Sequence, residues 1–124
     1  MIRILFAGRD LASLPAFKSV LDENDFHTTY MESGQKALAA IAAQGFDLLI
    51  VDENLGDMTG LELIESVVTQ NPMLNCAAIG SLEPDEFHEA SEGLGVLMQL
   101  SIEPKKNEVQ QLLDHLKKIL SFTQ

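Results

Sequence analysis

Leu48-Leu49-Ile50-Val51 is a run of four aliphatic residues closed at both ends by aspartates, Asp47 and Asp52. A strand that packs on one face alternates apolar and polar residues, whereas an unbroken apolar strand must be covered on both faces. The run is too short for a buried helix and has the length of a strand. It therefore predicts a central strand of a parallel sheet with helices above and below.

The rest of the chain fits around such a strand. Arg3–Ala7 reads as a buried strand, followed by helical spacing from Leu11 to Leu21 at Leu14, Phe17 and Leu21. Asn24-Asp25 stops that helix, and His27–Met31, rich in Thr and Tyr, reads as a strand. Ser33 is placed to cap a second helix with Ala37, Leu38, Ile41 and Ala42 on one face, closed by Gly45. After Asp52 comes a polar loop to Gly60, then a helix carrying Leu61, Ile64, Val67 and Val68 that ends at Asn71-Pro72.

Cys76–Ile79 is a fourth apolar strand. Pro84 suits the first turn of a fourth helix with Phe87 and Ala90 inward, closed by Gly93 and Gly95. A fifth strand lies within Val96–Ile102 and Pro104 breaks it. The last helix, about Lys106 to Phe122, has the stripe Val109, Leu112, Leu113, Leu116 and Leu120, with Lys117 and Lys118 set to complement its dipole. Strand–helix units in series predict an α/β fold: an open parallel sheet with helices on both faces, joined by right-handed crossovers. A length of 124 residues suggests one domain spanning 1–124.

Charge narrows the partners. With 19 acidic and 8 basic residues the formal net charge is -11, a field that repels phosphate backbones and argues against nucleic-acid binding. No stretch has the ~20 apolar residues of a membrane span, and the N-terminal apolar run is too short for a signal peptide. The lone Cys76, in an apolar run, reads as a buried free thiol. These features predict a cytoplasmic protein with no membrane partner.

Sites on open α/β sheets form at the carboxyl ends of the strands. The loops there begin at Gly8, Asp52, Gly80 and Glu103. Asp52 ends the most apolar strand, a costly place for an unpaired charge. It either caps the turn that follows or serves a function.

The segment from Asp47 through Asp52, Gly56 and Gly60 to Leu63 resembles the phosphoacceptor segment of response-regulator receiver domains. In that family an apolar strand ends in Asp, and a loop with Gly eight residues on leads into an amphipathic helix. Asp52 and Gly60 match, while Gly56 stands where the family usually has Pro. The order of elements matches over essentially the whole chain. The resemblance implies a flavodoxin-like five-stranded sheet in order 2-1-3-4-5, with Asp52 as the candidate phosphoacceptor. It also implies Mg²⁺, held by an acidic pair after the first strand, with Ser or Thr ending the fourth strand and Lys before Pro after the fifth. Phosphoryl transfer needs that charge, because negative charge spreads over the equatorial oxygens.

Here the acidic pair reads Gly8-Arg9, with Asp10 displaced by one position. The hydroxyl position falls on Gly80, with Ser81 beside it, and Lys-Pro reads Glu103-Pro104. The aromatic position of the fifth strand falls on Leu100. A fixed positive charge at Arg9 would oppose a metal. Arg9 would either extend into solvent or form a bidentate ion pair with Asp52. Charges ~4 Å apart attract by roughly 4 kcal/mol at an effective dielectric of about 20, before desolvation. Glu103 would compete for Arg9 or repel Asp52.

Other motifs carry less. Asp52–Asp57 lacks the Gly and Glu of a calcium loop, where Asp57 and Leu63 stand. Gly8-Arg9-Asp10-Leu11 has too few glycines for a nucleotide cradle. His27, His88 and His115 lack metal spacing, and no nucleophile signature appears. Glu83, Asp85, Glu86, Glu89 and Glu92 make the fourth helix acidic, which reads as a solvated face or a docking surface. The family commonly docks partners or dimerises through the fourth helix, fifth strand and fifth helix, which implies an interaction face at Glu86 and Glu89, with Met98 and Leu100 of the fifth strand either apolar anchors of that face or core.

The pocket around Asp52 is thus expected to comprise Gly8, Arg9, Asp10, Asn54, Gly80, Ser81 and Glu103, with no catalytic or metal-ligating residue. The expected function is an atypical, non-enzymatic receiver in signal transduction, acting on a protein partner with weak or absent Mg²⁺-dependent phosphorylation. One alternative is a working phosphoacceptor at Asp52, with Mg²⁺ as cofactor and a histidine kinase as partner. A second is a small enzyme on a flavodoxin-like scaffold.

Overall fold

The computed structural model describes residues 2–9, 14–23 and 26–122. Strands and helices alternate: β1 Arg3–Ala7, α1 Pro15–Glu23, β2 His27–Met31, α2 Gly34–Ala43, β3 Leu48–Val51, α3 Gly60–Gln70, β4 Asn75–Ile79, α4 Pro84–Ala90, β5 Val96–Leu100 and α5 Lys106–Phe122. The sheet has the order β2-β1-β3-β4-β5, and every pairing is parallel. This is the architecture expected from the sequence.

The aliphatic run of β3 has no exposed member, because alternate residues feed two different cores. Leu48 and Ile50 join Ile4 and Phe6 under α1 and α5, where Phe17, Leu112 and Leu116 close the layer. Leu49 and Val51 join Leu5 and Ala7 under α2 and α3, against Ala37, Leu63 and Val67. Each such aliphatic side chain contributes roughly 1.5–3 kcal/mol on burial. Phe6 and Phe17 meet edge to face with ring centroids 5.5 Å apart.

The helices depart from expectation in detail. α1 begins at Pro15, with Leu14 buried just before it; Leu11, Asn24 and Asn24's neighbour Asp25 lie outside the described residues. In α2 the buried positions are Gly34, Ala37 and Ala40, while Ala42 is exposed. Its C-cap is Gln44, in extended conformation, and not Gly45. In α4 Ala90 is exposed and Phe87 half-buried, so no side chain of this helix is fully buried. The last turn of α5 has no basic residue. Lys117 instead lies 5.5 Å over the Phe26 ring.

Caps hold the helices that frame the carboxyl end of the sheet. Thr59 and Glu62 form a reciprocal capping box at the start of α3, at 3.1 and 3.0 Å. All of the first four amides of α2 are bonded: Gly34 and Gln35 donate to Asp57 at 2.9 and 3.0 Å, Lys36 to Ser33 Oγ at 3.2 Å, and Ala37 to Ser33 O at 3.1 Å. Asp57 thereby ties the loop after β3 to the adjacent helix.

Candidate functional site

β3 delivers Asp52 to the carboxyl edge of the sheet, where its N–H donates to Ala7 O at 2.9 Å. Two glycines let backbone crowd around it. A Cβ on Gly8 would stand 2.3 Å from Asp52 Cβ, and Gly8 adopts φ +141°, which side-chain-bearing residues avoid. A Cβ on Gly60 would stand 2.1 Å from Asp52 O. The result is an aspartate only 5% exposed.

Its carboxylate is fully engaged. Arg9 Nε donates to Oδ2 at 2.6 Å and Arg9 Nη2 to Oδ1 at 3.3 Å, a two-pronged guanidinium contact. Backbone N–H groups complete the set, Arg9 N to Oδ2 at 3.2 Å and Glu53 N to Oδ1 at 3.0 Å. Each oxygen therefore accepts twice. Arg9 Nη2 also donates to Ile102 O at 2.7 Å, so one side chain joins the loops after β1, β3 and β5. With its side chain 37% exposed, Arg9 lies at the boundary between core and solvent.

The other sequence-derived positions divide into those near this centre and those away from it. Ser81 donates to Glu53, from N at 2.6 Å and from Oγ at 3.1 Å, linking the loops after β3 and β4. Gly80 lies beside both, since a Cβ there would meet Glu53 Oε2 at 3.1 Å. Asn54 instead builds its own turn, accepting from Gly56 N at 2.9 Å. Glu103 is exposed, and among the described residues it forms no ion pair with Arg9. Asp10 lies outside the described residues.

The fifth strand requires a correction. Leu100 is completely buried in the layer under α1 and α5, so it belongs neither to an exposed interface nor to the α4 side of the sheet. The β4–β5 register shifts between Cys76 and Ala78, pairing Ala78 with Gln99. Gln99 thus takes the α4 side, donating Nε2 to Leu82 O at 2.8 Å. Met98 is half-buried against the core, while Glu86 and Glu89 are exposed on α4.

Glu53, Gln99 and Tyr30, whose hydroxyl donates to Gly8 O at 2.6 Å, escaped the sequence reading. Glu53 carried the only signal, as an acid adjacent to a strand-end acid. His27, His88 and His115 are exposed, and among the described residues no group of three metal-binding side chains converges. No helix of the described residues is long and apolar enough to cross a membrane.

The family model for the response regulator receiver domain matches residues 5–117. The chain belongs to the response regulator receiver domain family. Solved receivers share its fold. The receiver domain of Francisella response regulator 1452 superimposes with a TM-score of 0.82 at 19% identity, covering 100% of both chains. The CheY-like receiver domain protein from Methanospirillum hungatei JF-1 gives 0.79 at 24% identity, covering 98% of this chain and 94% of its own. The chemotaxis response regulator CheY4 of Vibrio cholerae gives 0.80 at 19%, covering 94% and 98%. No curated protein sequence matches this receiver. Receivers serve two-component signalling, are generally non-enzymatic, and use Mg²⁺ for phosphorylation.

Proposed function

We propose that this receiver is an atypical member that signals through contact with a partner protein, with weak or absent Mg²⁺-dependent phosphorylation of Asp52. One observation carries the reading: the Arg9 guanidinium occupies both oxygens of the Asp52 carboxylate. Mg²⁺ demands near-octahedral oxygen ligands at about 2.0–2.1 Å. The described donor set fits it poorly, because Gly8 offers no side chain and Arg9 is a cation that holds both Asp52 oxygens. A phosphoryl group would also meet the wrong charge at Glu103, in the place of the family's lysine.

The partner surface would include the acids of α4. Glu83, Asp85, Glu86, Glu89 and Glu92 are all exposed, and with a net charge of -11 they favour a basic protein surface. A signalling protein such as a histidine kinase, or a second copy of the chain, fits the family's habits.

Amide spectra recorded with Mg²⁺ and beryllofluoride, a phosphoryl analogue, test the reading. The expected result is no change around Asp52. Saturable shifts spreading from Asp52 to Ser81 and α4 would establish the alternative, a working phosphoacceptor.

A further inference from the structure

α4 rests on the sheet without a fully buried side chain, held chiefly by half-buried Phe87. Beneath it, between α3 and the ends of β4 and β5, lies a cleft of about 230 Å³. Its walls are apolar and come from Val51, Leu61, Ala78, Leu82 and Phe87. Gly80 leaves part of the wall without a side chain, and a Cβ there would stand 2.6 Å from Gln99 Oε1. Polar groups gather at one end, where Glu53, Thr59 and Gln99 join Asp52.

An apolar surround with a few convergent polar atoms is the usual build of a small-molecule site. Volume limits the occupant. An engineered apolar cavity of ~150 Å³ holds benzene, so by proportion this cleft takes about nine non-hydrogen atoms, one ring with a short tail. Charge selects among such molecules. The lining contains two carboxylates and no basic residue. Asp52 is spent on Arg9, but the Glu53 oxygens accept only from Ser81 among the described residues and retain lone pairs for a further donor. The chain's charge of -11 repels an anion from the same place.

We infer that the cleft under α4 binds a small aromatic or branched aliphatic amine, its apolar body between Leu61, Ala78 and Phe87 and its ammonium at Glu53. Occupancy fixes the position of Phe87 and with it the acid-bearing surface of α4, giving the chain a chemical input independent of phosphate.

Titration of the whole chain with 2-phenylethylamine, followed by amide spectra, tests this. The expected result is saturable shifts at Leu61, Ala78, Leu82, Phe87 and Gln99, with a Kd between ~10 μM and ~1 mM for a ligand of this size. Phenylacetate, the same shape with the opposite charge, should bind at least about tenfold more weakly, a difference set by the Glu53 end. Ala78→Leu fills the cleft and should abolish the shifts, and Leu82→Trp does so from the loop if Ala78→Leu fails to fold. Absence of saturation at ~20 mM amine, equal binding of phenylacetate, or shifts that persist in a folded filled variant would overturn the proposal. The titration contains neither Mg²⁺ nor beryllofluoride, so its outcome is separate from that of the Arg9 reading.

Discussion

A carboxylate that is 5% exposed is stable as an anion only if its surroundings replace the water it lost. At Asp52 four donors do so, and two of them belong to one side chain, Arg9. Arg9→Ala leaves the two backbone donors and removes the countercharge, which should lower stability by about 1–3 kcal/mol. A drop in the urea midpoint at constant slope checks this, and Arg9→Lys should recover only part of it, because an ammonium cannot engage both oxygens. An unchanged midpoint in Arg9→Ala would mean that the pair is energetically idle. The contact was legible in the sequence because a cation stood where the family places an acid, next to a strand that had to end in a buried Asp. The Glu53–Ser81 link was not, since two exposed polar residues 28 positions apart leave no periodic trace. Cys76 illustrates the easier case. Burial in an apolar strand pushes its thiol up to about 12. The native protein should therefore resist iodoacetamide at pH 8 and react on unfolding in urea, as mass spectrometry would record.

Among the elements, α2 depends most visibly on a residue outside itself. The amides of Gly34 and Gln35 hold the Asp57 carboxyl below its usual range. A carboxyl lowered in the folded state stabilises the fold above its unfolded value, near 4, and loses that contribution as pH falls through the folded value. Asp57→Asn should thus melt below the parent at pH 7, and the gap should close as pH drops below about 4. A gap that stays constant with pH would assign the effect to shape and not to charge. At α5, burial raises Glu108, yet bonds from Lys105 N and from the Ser101 hydroxyl and amide outweigh it and leave the carboxyl lowered. That group loses stability in the same direction, so the comparison of Asp57→Asn with its parent is needed to isolate the α2 term. Strands were legible because burial on both faces forces unbroken apolar runs, as in β3. Helix registers were less so. In Gly34–Ala43 five alanines blur the contrast between faces, and Ala40 rather than Ala42 turned inward. At β5, Gln99 and not Leu100 takes the α4 side, because a one-residue slip reverses which face a side chain meets.

For the molecule as a whole, the net charge of -11 works against compactness, since folding brings like charges together. Among the described residues, ion pairs join Arg9 to Asp52, Lys18 to Asp22 and Lys36 to Glu32. The last two join exposed side chains four residues apart and contribute little. Added salt acts on these terms differently. Repulsion between exposed acids, as along α4, extends over the ~30 Å screening length of 0.01 M salt and collapses at 0.15 M, where that length is ~8 Å. The Arg9–Asp52 pair is in direct contact, with the carboxylate side chain 7% exposed, so salt reaches it least. Relief of repulsion should therefore win, and the Tm should rise between 0.01 and ~0.2 M NaCl. Chloride and sulfate should agree at equal ionic strength over this range if screening is the cause, and a Tm that falls with salt would mean that attractive surface pairs outweigh the acidic excess.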